Sequence, residues 1–167
     1  MFFKTKIEPA DFANCLVRDH RAIFGRRNLD DICKQLDFHF RDEPSYIEAF
    51  YELQAFGLYS IAFGVKSQCV QHLQAAILNS LNRVFADISG PNWEMMRHRV
   101  NEYEELSIHG PTGGFAAQRI FDKPPGVIQP SSKQAFGLAL AMNASCVDAL
   151  EAVKSLFKQY KFDAYEI

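Results

Sequence analysis

Prolines divide this chain more firmly than any other feature: there are seven of them, and none interrupts a stretch with strong helical patterning. Pro9, Pro44, Pro91 and Pro130 each stand at or just before such a stretch, where a missing amide hydrogen costs nothing and the ring's fixed φ suits a first helical turn. The other three, Pro111, Pro124 and Pro125, fall in one segment rich in glycine. This punctuation predicts an all-α chain, a single helical domain over residues 1–167. It should be a bundle of about six helices, with a long Gly/Pro-rich loop over 107–130 before the last helix.

Helix one is expected from Pro9 to about Phe24, with Phe12, Leu16 and Ile23 on one side and Gly25 as its stop. Asn28 is the expected cap of helix two. Asp30 and Asp31 favour the positive end of its dipole, and Leu29, Ile32, Cys33, Leu36 and Phe40 carry helical spacing to about Arg41. The alternation Phe38-His39-Phe40 leaves an extended end as the other reading. Ser45 and Glu48 have the spacing of a capping box, which starts helix three there. From Ala49 to Val65 only Glu52, Gln54 and Ser60 are strongly polar, so this helix should be central. Those polar residues, without basic flanks or an aromatic belt, argue against a membrane span.

Helix four should reach about Ile88, nearly continuous with helix three and broken from it at Gly64. Trp93, Met96, Val100 and Tyr103 repeat at 3, 4 and 3, a seam that seats helix five on the bundle. Ser131 or Ser132 is expected to cap a last helix to about Tyr160, with Leu138, Met142, Cys146, Leu150, Val153 and Phe157 on one face. An aromatic tail, Tyr160, Phe162 and Tyr165, is expected to dock back on the body.

Length and composition bound the rest. A chain of 167 residues, 48% hydrophobic and with fifteen phenylalanines, can build its own core without disulfides or metals. With 18 basic and 20 acidic residues its formal charge is −2, so no long-range field draws a nucleic acid or an anionic membrane. The nearest approach to a basic patch, Arg18, Arg21, Arg26 and Arg27 around His20, reads as a solvated face and turn. Cys15, Cys33, Cys69 and Cys146 are widely spaced, lack a C-x-x-C pair and read as small buried hydrophobes. The N-terminal stretch lacks the apolar run of a signal peptide. Together these features predict a cytoplasmic protein.

Chemistry-bearing residues are few. Glu94, His98 and Glu102 share a helical face, but neither a Glu-x-x-His pair nor an H-E-x-x-H motif is present, so no metal and no cofactor is expected. His-Gly-Pro-Thr-Gly-Gly at 109–114 has the glycines of a phosphate loop without its lysine. No G-x-S-x-G elbow and no recognisable cysteine nucleophile occurs. The leading expectation is therefore a non-enzymatic protein that binds a protein partner, of the immunity-protein, adaptor or chaperone type, with a homodimer also open. Its expected partner-binding residues are those of the long loop: His109, Thr112, Phe115, Arg119, Phe121 and Lys123, with Ile120, Val127 and Ile128 as further apolar anchors; a lid folded onto the core is the other reading of these apolar residues, and a small helical turn or strand over 115–121 stays open. The alternative is an enzyme or small-molecule binder with a pocket between helices three, four and five. That pocket would be lined by the small-residue stripe Gly57, Ser60 and Gly64, and reached by His72, Arg97 or His98.

Overall fold

The structure, a computed structural model, describes residues 4–109, 112–121 and 131–162; within these the side chains of His109, Phe121 and Ser132 are left aside. Among the described residues the protein is all-α. The helices are α1 (Pro9–Phe24), α2 (Arg26–Gln35), α3 (Glu43–Gln68), α4 (Gln71–Ser89), α5 (Trp93–Leu106), α6 (Thr112–Phe121) and α7 (Ser132–Gln159). Short 3-10 turns, Gly90–Asn92 and Ser107–His109, flank α5. A parallel pair of two-residue strands, β1 (Thr5–Lys6) and β2 (Tyr160–Lys161), ties the start of the described chain to the end of α7.

Helix α3 packs against all six others, as a helix apolar on every side must. Leu53, Phe56, Leu58, Ile61 and Val65 are buried on it. Each such side chain stabilises the fold by about 1.5–3 kcal/mol relative to exposure. Phe12 closes the far end of the core. Its ring centroid lies 4.8 Å from Phe157 and 5.0 Å from Phe162, so the aromatic tail docks back as far as Phe162; Tyr165 lies outside the described residues.

Several local expectations are corrected. Helix α3 starts at Glu43 because Asp42 caps it, its carboxylate accepting the Ser45 amide at 2.9 Å; Ser45 and Glu48 form no box there. Asp42 wins because its carboxylate meets the Ser45 amide, an orphan donor of the first turn, and Pro44 already fits that turn. Helix α2 begins at Arg26 rather than after Asn28, whose side-chain amide instead donates back to the Ile23 carbonyl. It ends at Gln35, not Arg41, and Asp37 follows with φ +49°, a left-handed residue that terminates the helix. Phe38, His39 and Phe40 are non-helical.

Gly64 lies within α3 and does not break it. The break comes at Cys69–Val70, where the backbone turns extended before α4. Within the expected loop, Thr112–Phe121 is helix α6 and Ser107–His109 a 3-10 turn. Ala116, Ala117 and Ile120 bury one side of α6, and tertiary burial of this kind stabilises a helix too short to persist alone. Residues 110–111 and 122–130, with Pro111, Pro124, Pro125, Pro130, Lys123, Val127 and Ile128, lie outside the described residues. Helix α7 is capped as expected: Ser131 Oγ accepts the Gln134 amide and the Gln134 side chain accepts the Ser131 amide, a reciprocal box.

Candidate functional site

Among the sequence-predicted interface residues, Arg119 is committed to the interior. Its guanidinium donates to Glu102 at 2.9 Å, lies 3.7 Å from Glu52 and stacks over Tyr103 at 5.2 Å. Arg99 joins the same cluster, 3.4 Å from Glu52 and 3.0 Å from Glu102. The Tyr103 hydroxyl donates to Glu52, which is 3% exposed. Two guanidiniums therefore face two carboxylates, with the phenol completing the lone pairs of Glu52.

Burial works against the charge of both Arg119 and Glu102. Their mutual bonds outweigh it, holding the Glu102 pKa below and the Arg119 pKa above the ordinary value. Burial and the neighbouring Glu52 charge push the Tyr103 phenol well up, so it stays a donor. The cluster pins α6 to α3 and α5, and it is electrically closed.

Thr112 is buried, Phe115 is half-buried against the core, and Ile120 is buried. The side chains of His109 and Phe121 and all of Lys123 lie outside what is described. Ile108, just before α6, is 81% exposed.

The small-residue stripe of α3 is where neighbouring helices approach closely. A Cβ on Gly57 would stand 2.5 Å from the Phe24 ring and 2.7 Å from His20 Nε2, both on α1. One on Gly64 would stand 3.1 Å from Val153 of α7. Ser60 donates to the Phe56 carbonyl at 2.9 Å. The buried His20 donates Nε2–H to the Gln54 carbonyl at 3.0 Å, while its Nδ1 meets no hydrogen-bond partner. Burial lowers its pKa to about 4, leaving the ring neutral near pH 7.

A groove does run between α3, α4 and α5, about 340 Å³ in volume, but a different face of α3 lines it. Leu58, Ala62 and Lys66 contribute from α3, Leu78 from α4, and Trp93 and Arg97 from α5. Arg97 is thus the one predicted pocket residue on this groove, and it also bonds Glu94 at 2.8 Å. His72 is exposed, and His98 is 73% exposed with Glu102 at 3.7 Å. No group of three or more His, Cys, Asp or Glu side chains converges to hold a metal among the described residues. The four cysteines are free and half-buried, and burial raises the Cys33 and Cys69 thiols to about 11, which leaves them poor nucleophiles.

Among the described residues, the outer side of α7 carries an exposed apolar row. Leu138, Met142, Ala149 and Val153 bury its inner side, whereas Phe136 is 66%, Leu140 54% and Val147 57% exposed. With Ala144, also exposed, these recur at 136, 140, 144 and 147, one continuous helical stripe. Gln134 holds the start of this helix in place, donating to the carbonyls of Leu36 at 3.2 Å and Asp37 at 3.0 Å. Lys133–Gln159 is long and apolar enough to cross a membrane (mean hydropathy 1.4), with 28% of that window buried. Its buried side is part of the core, so a crossing helix would have to leave the bundle.

No known family, no curated protein and no solved structure matches this chain detectably.

The α7 stripe is masked in the sequence by the stronger apolar face Leu138, Met142, Cys146, Leu150, Val153 and Phe157 of the same helix. The signal lay in Phe136, Leu140 and Val147, apolar residues on the opposite side of an amphipathic helix. The Glu52 cluster had no sequence signal, since its members come from three helices.

Proposed function

We propose that this chain is a non-enzymatic helical protein that captures a protein partner in the cytoplasm, as immunity proteins, adaptors and chaperones do. The observation that carries the reading is the exposed stripe Phe136, Leu140, Ala144 and Val147 on a helix whose other side is locked into the core. Apolar side chains aligned on a rigid, capped helix are the usual anchors of a helix-in-groove or helix-on-helix interface. The docking surface of this proposal is therefore the outer face of α7. The α6 residues Thr112, Phe115 and Arg119 are committed to the fold that supports it.

Native mass spectrometry of the tagged protein taken from the cells that make it tests the proposal. The expected result is a second protein in fixed stoichiometry, lost from the double variant Phe136→Gln, Val147→Gln at an unchanged melting temperature. A second copy of the chain on the same face would appear as a dimer sensitive to the same substitutions. Binding of the unaltered chain to neutral lipid vesicles that the double variant loses, with no protein partner captured, would move the assignment of the stripe to a membrane surface.

The groove between α3, α4 and α5 favours a second reading, a small-molecule binder. Trp93, the only tryptophan, lines it, so a ligand that enters should change its fluorescence. Ala62→Leu, which projects into the groove, should abolish that response together with any ligand-dependent stabilisation.

A further inference from the structure

The α2–α3 turn builds a second concavity, about 610 Å³ in volume, on the side of the molecule where Gln134 anchors α7. Its walls are aromatic. The rings of Phe38 and Phe40 meet edge to face at 5.0 Å, and those of Phe40 and Tyr46 at 5.6 Å, so ring planes stand in perpendicular directions around one space. The Tyr46 hydroxyl donates to Asp30 at 2.7 Å, which fixes that ring.

The charges lining this space are unbalanced. Asp30, Asp37, Asp42 and Glu43 contribute carboxylates, and Lys34 is the single ammonium. Asp42 stays ionised, because the Ser45 hydroxyl and amide donate to it and hold its pKa below the usual carboxylate range. Asp37 has its side chain 99% exposed, with the His39 ring 3.9 Å away. The contrast with the Glu52 cluster is in the balance: there two guanidiniums face two carboxylates, whereas here four carboxylates and one ammonium line the space, with Arg41 beside Asp42 at its edge.

We infer that the α2–α3 pocket receives the cationic side chain of a lysine from a basic segment of the protein partner. Aromatic rings beside a surplus of carboxylates suit an alkylammonium or guanidinium group. The spread of the carboxylates suits such a bulky cation better than a metal ion, for which no convergent ligand group exists among the described residues. Continuity supports the same occupant, since Asp37 is bonded to Gln134, two residues before Phe136 of the apolar stripe. The inference rests on the reading of the chain as a partner-binding protein and adds the chemistry of the partner: an apolar segment bearing a basic side chain at one end.

The test uses the full chain labelled with ¹⁵N, titrated with a tri-lysine peptide and with the same peptide acetylated on all three side chains. Tri-lysine should shift the amides of Phe38, His39, Phe40 and Tyr46 saturably, and the neutral peptide should not. Asp37→Asn, which keeps a residue tolerant of positive φ, should weaken tri-lysine by about threefold, and Phe40→Leu by about fivefold, the size of an exposed cation–π contact. The Asp37 side chain is solvent-exposed, so the first variant tests charge without touching the core. Equal shifts from both peptides, or none near Phe40, would overturn the pocket and leave the α7 proposal standing. Normal tri-lysine binding by the Phe136→Gln, Val147→Gln variant would keep the pocket even if the α7 interface failed.

Discussion

The Glu52 cluster and the outer face of α7 set two kinds of side chain against each other: a buried carboxylate closed by partly exposed guanidiniums, and apolar side chains left outside. In the cluster, four charges and one phenol satisfy one another, and nothing from outside is needed. On α7, Phe136, Leu140 and Val147 keep more than half of their surface in water. A buried polar group must find its partners during folding, because leaving it alone costs several kcal/mol; an exposed apolar one is tolerated at far lower cost. The informative surface is therefore the one left incomplete, and the conspicuous charged cluster is architecture.

The sharpest way to break this contrast is to open the cluster. Glu52→Leu leaves Arg99 and Arg119 sharing Glu102 alone and deprives the Tyr103 hydroxyl of its acceptor. It should lower stability by about 3–5 kcal/mol in urea denaturation. A loss under about 1 kcal/mol would show that water already screens the cluster.

His20 gives an intermediate case, a buried polar side chain with one ring nitrogen satisfied and the other not. Its folded pKa of about 4 lies below the ordinary 6.5, so between these values the unfolded chain binds a proton that the folded chain refuses. Stability is fully present above pH 6.5 and falls as pH drops towards 4, by about 3 kcal/mol from this group. Denaturation profiles at pH 7 and pH 4.5 should show the difference, and His20→Phe should reduce it.

Close packing supplies the next test. Gly57→Ala places a methyl 2.5 Å from Phe24 and should cost about 1–3 kcal/mol, read as a lower melting temperature. An unchanged melting temperature would mean that α1 can withdraw from α3 freely. Phe115→Ser should likewise lower the melting temperature, because its ring packs partly on the core. The smallest effect belongs to α7: Phe136→Gln with Val147→Gln should change stability by less than about 0.5 kcal/mol per site while removing the partner. A large loss of stability there would show that the outer face is covered by its own chain, and the contrast would disappear.

The limits of α1, the seam of α5 and the serine cap that starts α7 are readable in the chain, since periodicity, proline and capping chemistry act over a few residues. Asp42 in place of Ser45, and α6 in place of a loop, were less so. Two cap candidates stand three residues apart, and Thr112–Phe121 contains glycines that disfavour a helix until burial of Ala116, Ala117 and Ile120 compensates. For the candidate sites the balance differs. Arg119 and Phe115 stood out as polar and apolar residues in a supposed loop, but whether they face solvent or core depends on how α6 is oriented. A groove between α3, α4 and α5 was foreseeable from three adjacent helices, yet the lining face of α3 was not, because that helix is apolar on every side.

By itself the sequence determined an all-α chain with helix starts at its prolines and polar caps, a phenylalanine-rich core and no strong net charge. These are properties of residues close together in the chain. Only the tertiary structure decided that Arg119 and Glu52 meet, that Gly57 is a contact with α1, and that Phe136 and Val147 remain in water. Each of those depends on which helix lies opposite. Hydrophobic burial rewards any partner that removes apolar surface from water, so the choice among partners is made by the packing of the whole bundle.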